Sequence, residues 1–185
     1  MPDMTELAHQ VLRGSIAPGA LVVDATVGNG HDTLFLAGCV GPTGRVFGFD
    51  IQEQALAATA ARVRGLSQVT LFHNGHEELG QRLPADAKAR LAAVMFNLGY
   101  LPGAAKDLAT QMQTTLAALD QALDLLCVGG LVTMVLYSGH PGGREEADAV
   151  RSMAKGLPAT FTATLSERIN SVSAAPELLI IERLR

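Results

Sequence analysis

Apolar strands alternate with amphipathic helices along most of the chain. This predicts a doubly wound α/β fold with a mostly parallel seven-stranded sheet and an antiparallel final hairpin. Three observations carry the prediction. The early strands are apolar on both faces, as strands covered by helices on either side must be. A glycine turn follows the first strand and opens directly into an apolar helical run. The last two strands, over 161–166 and 178–183, are joined by a short loop with no helix, so they pair antiparallel.

Taken in order, Leu7, Val11 and Leu12 share one face of a helix over 6–13, ended by Gly14 and Pro18-Gly19. A strand around Val22 and Val23 leads to the glycine loop. A crossover helix follows over 31–40, then a Gly-Pro-Thr-Gly turn. The second strand starts at Arg45 and ends in Asp50. Residues 53–64 are alanine-rich, with an apolar side at Leu56, Ala60 and Val63, and form a helix. A strand over 69–72, a weak helix over 77–83 stopped at Pro84, and a strand over 91–96 come next. Residues 97–103 leave the sheet as a loop. Leu108, Met112, Leu116, Leu119, Leu123 and Leu126 place a long helix over 106–127, stopped by Gly129-Gly130. A strand over 131–137, a loop over 138–143 and a helix over 145–155 precede the final pair.

With 185 residues, 48% hydrophobic and 17% charged, the chain has the size and composition of one compact domain spanning 1–185. No stretch approaches the ~20 uninterrupted apolar residues of a membrane span, and the N-terminus carries no signal-peptide pattern. Cys39 and Cys127 both fall in apolar helical stretches and are expected as core thiols in a reducing cytoplasm. No Cys/His spacing matches a metal site. A net charge of -4 argues against a broad polyanion-binding surface, though 14 Lys and Arg leave room for a local basic patch. Two Tyr, six Phe and no Trp supply little for stacking single strands.

In such sheets ligands bind beyond the carboxyl ends of the strands. Gly28 and Gly30 allow a tight turn and close approach of a ligand to the backbone. Asp32 and Thr33 then begin a helix with free N–H groups. Asp50, twenty residues past Gly30, suits the two hydroxyls of a ribose. A dinucleotide fingerprint would need a third glycine where Thr33 stands, and a pyrophosphate would be repelled by Asp24. A carboxylate at Asp24 suits instead the amino group and sulfonium of S-adenosylmethionine (SAM). The pattern Asp24-x-Thr26-x-Gly28-x-Gly30 is similar to the acid-x-Gly-x-Gly-x-Gly loop of class I methyltransferases, with Thr26 in place of the first glycine. Their seven strands and final hairpin match the count here.

Asn97-Leu98-Gly99-Tyr100 is similar in spacing to the Asn-Pro-Pro-Tyr motif of amino-group methyltransferases. A neutral acceptor such as Asn97 orients an amine without stabilising its unreactive ammonium form, and Tyr100 would pack on a base. The plainer alternative is a turn punctuated by Gly and Pro. His140, in a Gly/Pro-rich loop, is either a proton acceptor or phosphate ligand, or a loop histidine satisfied locally. His76 either caps a helix or touches the adenine, and His31 follows the glycine loop directly.

These runs, with Phe47-Gly48-Phe49-Asp50-Ile51-Gln52, Met95 to Gly103 and Gly139-His140-Pro141-Gly142-Gly143, resemble the small bacterial rRNA methylase family over nearly the whole chain. The resemblance implies SAM-dependent N-methylation of the 5-aminomethyl group of 2-thiouridine at the tRNA wobble position. It implies tRNA, bound at its anticodon region, as partner, and a cytoplasmic protein, often dimeric. By the same resemblance SAM would lie over Asp24, Thr26, Gly28, Asn29, Gly30, His31, Asp32, Thr33, Asp50, Ile51, Gln52, His76 and Asn97. Catalysis would fall to Asn97, Tyr100 and His140. Methylation of rRNA or of a small-molecule amine, and a non-catalytic SAM- or nucleotide-binding module, stay open on the residues alone.

Overall fold

The computed structural model describes residues 2–99, 109–170 and 175–185. Seven strands form one sheet: β1 (Leu21–Asp24), β2 (Arg45–Asp50), β3 (Val69–His73), β4 (Leu91–Leu98), β5 (Leu126–Leu136), β6 (Phe161–Ser166) and β7 (Glu177–Arg183). Their order is β3-β2-β1-β4-β5-β7-β6. The pairs among β1 to β5 are parallel, and β7 runs antiparallel to both β5 and β6. The strand order reverses between β1 and β4. The crevice at the carboxyl ends of those two strands is therefore where a ligand is received.

Side chains alternate across each strand and divide the core in two. Val23, Phe47, Phe49, Val94, Phe96, Val132, Met134, Leu179 and Ile181 face one layer. Val22, Val46, Ala93, Met95, Val135 and Leu178 face the other. The second layer is covered by α1 (Met4–Ser15) and α2 (His31–Val40). α3 (Glu53–Arg62) lies beside α2 and against β2 and β3. The first layer is covered by α4 (Leu79–Arg82), α5 (Met112–Leu125) and α6 (Gly143–Lys155). Asp3 begins α1 by accepting a hydrogen bond from the Glu6 amide at 2.7 Å. Met4, Ala8 and Leu12 form the buried stripe of α1, with Leu7 and Val11 at its edge. Among the described residues, no helix is long and apolar enough to cross a membrane.

Four local expectations are corrected. The buried side of α3 is Ala55 and Thr59, not Leu56 and Ala60, because Thr59 is drawn in by the carbonyl of Gly28, 3.0 Å from its hydroxyl. α5 ends at Leu125, and β5 begins at Leu126 opposite Leu91. The Gly129-Gly130 pair therefore lies within β5, where the register shifts; Gly129 takes φ +78, and a Cβ on Gly130 would lie 2.7 Å from the Leu91 carbonyl. Cys127 consequently sits on a strand, and both cysteines are half-buried rather than core residues. The weak helix before Pro84 resolves into a 3-10 turn at His76–Glu78 followed by the single turn of α4. The loop expected over 100–103 and the start of the long helix at 106 lie outside the described residues.

Candidate active site

A cavity of about 900 Å³ opens at the carboxyl ends of β1, β2 and β4. Its floor is the loop after β1. Gly28 and Gly30 take φ +51 and +78, and Gly30 starts α2 from the left-handed region. The loop is held from several sides. The Gly28 amide donates to Asp50 Oδ2 at 2.9 Å, the Thr59 hydroxyl to the Gly28 carbonyl at 3.0 Å, and Arg62 Nε to the Asn29 carbonyl at 2.7 Å. From β4, the Asn97 amide donates to the Thr26 hydroxyl at 2.7 Å.

Of the residues expected at the cofactor, Thr26, Gly28, Asn29, His31, Asp32, Asp50, Ile51, Gln52, His76 and Asn97 line the cavity. Asp24, Gly30 and Thr33 do not. Asp24 is fully buried under the loop, where its oxygens accept from the Thr26 amide at 3.2 Å and the Thr33 hydroxyl at 2.5 Å. Burial, and then the Asp32 charge, push the Asp24 carboxyl up to about 7, against those two hydrogen bonds. Asp24 therefore lies beneath the loop and braces it, not on the cavity wall, where the acids are Asp32, Asp50 and Glu77. Gly30 is covered by Thr59, whose hydroxyl would lie 2.6 Å from a Cβ placed there.

Asp50 accepts from the Gly28 and Gln52 amides, both at 2.9 Å, while forming part of the wall. Each oxygen so engaged keeps a further lone pair. Ile51 beside it is 54% exposed, an apolar flap over the opening. His76 is buried, and burial holds it below the usual imidazole range, so its ring is neutral near pH 7. Its Nδ1 lies 3.2 Å from the Ala25 carbonyl, an acceptor only, so Nδ1 carries the proton. Its Nε2 is then a buried acceptor without a hydrogen-bond partner among the described residues.

On the other side, Asn97 Nδ2 donates to Asp32 Oδ2, and the Thr5 hydroxyl lies 3.4 Å from Asn97 Oδ1. The carboxylate can accept only, so it fixes the amide with its nitrogen on Asp32 and its oxygen as the remaining acceptor. Asp32 Oδ1 also meets His9 Nε2 at 2.6 Å. Thr110 and Tyr137 lie on the same wall. Thr110 is held by Glu146, a buried acid that also accepts from Thr115.

His140 does not reach the cavity. A turn closed by the Gly143 amide on the His140 carbonyl at 3.0 Å folds it back, and its Nδ1 lies 3.0 Å from the Pro141 carbonyl. Its ring packs against Gly143, where a Cβ would meet Nε2 at 2.7 Å. Tyr100 lies outside the described residues. Thr5 and His9, which α1 brings to the site, were not expected from sequence; the only signal was two polar residues four apart on an amphipathic helix.

Comparison with known proteins places these features among relatives. The family model described as "Putative rRNA methylase" matches residues 46–182. The chain is 42% identical over 165 residues to a chloroplastic tRNA (mnm(5)s(2)U34)-methyltransferase of Arabidopsis thaliana, covering 83% of this chain. It spans 60% of the length of that relative. The crystal structure of a "putative rRNA-methylase" from Clostridium thermocellum superposes with a TM-score of 0.94 at 38% identity, covering 100% of this chain and 99% of that one. A "putative methyltransferase" from Streptococcus mutans, solved in complex with SAH, superposes with a TM-score of 0.88 at 34% identity, covering 100% and 99%. The fold is that of class I methyltransferases.

Proposed function

The chain belongs to the rRNA methylase family, and from that premise we propose that it is a SAM-dependent N-methyltransferase of RNA. Its reaction on this proposal converts 5-aminomethyl-2-thiouridine to 5-methylaminomethyl-2-thiouridine at the tRNA wobble position. The observation that carries the proposal is the carboxamide of Asn97. It stands on the cavity wall at the β4 end with its nitrogen committed to Asp32 and its oxygen as acceptor.

The cavity fits the cofactor. Asp50 offers acceptors for two ribose hydroxyls, and the loop Thr26–Asn29 lies open beside it. The buried lone pair of His76 Nε2 matches an N–H donor such as the amino group of an adenine. SAM, when bound, supplies a sulfonium methyl that needs no further activation. The chain's own work is to hold an amine in line with that methyl and to keep its lone pair free. Asn97 Oδ1 orients the amine by accepting one of its N–H bonds, and as a neutral group it does not favour the ammonium form. The solved S. mutans relative, in complex with SAH, and the plant relative, whose name specifies the wobble uridine of tRNA, support both halves of the assignment.

Nucleoside analysis of tRNA from a strain lacking this protein is the test. Accumulation of 5-aminomethyl-2-thiouridine with loss of its methylated product is the expected result. Unchanged tRNA nucleosides would contradict the assignment and favour rRNA or a small amine as substrate.

A further inference from the structure

Two side chains on one wall of the cavity have their protons already spent. The Thr110 hydroxyl donates to Glu146 Oε2 at 2.8 Å, and Thr115 donates to Oε1 of the same carboxylate at 2.6 Å. Glu146 is 1% exposed and both its oxygens are engaged, so α6 holds the carboxylate in place. A hydroxyl has one proton, and Thr110 has given it to Glu146, so its oxygen keeps only lone pairs for the cavity it lines. The Thr110 amide donates to the Gly99 carbonyl at 2.9 Å, two residues past Asn97, which ties both side chains to the β4 end of the cavity. Asn97 is in the same condition: its Nδ2 is committed to Asp32, and its Oδ1 keeps a lone pair beyond the one facing the Thr5 hydroxyl.

We propose that Thr110 is the second acceptor for the substrate amine, and that Asn97 and Thr110 together select a primary amine and end the reaction after one methyl. This deepens the amine-methylation reading above and rests on it. A primary amine with its lone pair in line with the methyl points two N–H bonds in its other directions. Asn97 Oδ1 accepts one and Thr110 Oγ1 the other. Neither oxygen is charged, so neither favours the unreactive ammonium. The lone pair forms the new N–C bond as the S–C bond breaks, and sulfur keeps that electron pair. The nitrogen is then a secondary ammonium, still with two N–H bonds, and it sheds one proton to water as the product leaves.

A second transfer would need the neutral secondary amine with its lone pair again in line. Its other directions then hold one N–H and one methyl. The methyl would lie against an oxygen that has lost its donor, and that oxygen would be left unpaired. A site built to hydrogen-bond a group rejects the analogue that lacks it. Glu146 makes the rejection strict, because a hydroxyl held by a buried carboxylate cannot turn its oxygen away to make room.

The test is the product of methyl transfer to tRNA carrying 5-aminomethyl-2-thiouridine, identified by mass spectrometry, for the wild type and for Thr110→Val. Valine keeps the shape and puts a methyl where the hydroxyl stood. The wild type is expected to yield the monomethylated nucleoside alone, and to leave tRNA that already carries 5-methylaminomethyl-2-thiouridine unchanged. Thr110→Val is expected to be about tenfold slower on the primary amine, the loss of one hydrogen bond, and to form the dimethylated nucleoside as well. Thr110→Ser restores a hydroxyl and should return the product to the monomethylated nucleoside. SAH affinity of Thr110→Val, read by calorimetry, is expected to match the wild type's, because the glycine loop and Asp50 are untouched.

A Thr110→Val protein that forms only the monomethylated nucleoside, at whatever rate, would make Thr110 a wall residue and overturn the proposal. So would a wild type that adds a second methyl, a result that needs no variant to fold. Lost SAH affinity in Thr110→Val would assign the residue to the cofactor and overturn it as well. A wild type that methylates no tRNA amine would refute the functional assignment, a distinct outcome from these.

Discussion

Asn97 and Asp24 are both polar groups at the ends of adjacent strands, yet their surroundings give them opposite tasks. Asn97 faces the cavity, and Asp32 determines which end of its amide is available. Asn97→Ala removes the orienting acceptor while leaving the glycine loop and Asp50 in place. Methyl transfer is expected to fall by the ~10²–10⁴-fold typical of positioned polar groups, with SAH affinity nearly kept. Wild-type turnover in that variant would reduce the segment to a turn. Asp24 is buried, with its carboxyl raised to about 7. In the unfolded chain such a group loses its proton near pH ~4. Between those values the folded state holds a proton that the unfolded chain has released. Asp24 therefore makes stability fall as pH rises through that window and adds no further slope above it. Asp24→Asn, followed by denaturant unfolding at several pH values, should flatten the fall between about pH 4 and 7. A slope equal to the wild type's would show that Asp24 ionises in the folded state as freely as in water.

The glycine loop is a joint product of four elements, and α3 is the least obvious of them. Thr59 hides a hydroxyl in an alanine-rich helix and spends it on the Gly28 carbonyl. Thr59→Val should lose that hydrogen bond in a buried place at a cost of about 1–3 kcal/mol, and SAH affinity should drop with it because the loop loosens. Stability loss without any change in SAH affinity would separate α3 from the site. The loop itself was legible in the sequence, because β-branched residues, paired glycines and an acid twenty residues on are local chemistry. What was not legible depended on what lay across from a residue. Asp24 turns inward because Thr33, on the first turn of α2, is there to receive it. His140 is folded away by the turn that starts α6. Leu126 continued the leucine spacing of a helix but pairs with Leu91 in the sheet. His9 gains its place only when α1 docks across α2. In each case the partner is distant in sequence, and periodicity says nothing of it.

At the scale of the molecule, the net charge of -4 opposes a polyanion overall, and Arg45, Arg82, Arg90 and Arg151 are each paired with acids. Arg62, against the Asn29 carbonyl and 3.2 Å from His31, is a cation beside the cavity floor. Affinity for tRNA is expected to fall with added salt along a shallow slope, about that of two or three neutralised phosphates. Salt-independent turnover would point to a small amine that makes no backbone contacts. The two layers of core and the crevice between β1 and β4 place Asp50, His76, Asp32 and Asn97 around one cavity, and the central claim is that this cavity methylates a tRNA amine. It is tested most directly by incubating the protein with labelled SAM and tRNA carrying 5-aminomethyl-2-thiouridine, then identifying the labelled nucleoside by mass spectrometry. Label in 5-methylaminomethyl-2-thiouridine is the expected result; label in another nucleoside, or none in tRNA while SAH still binds, would contradict it.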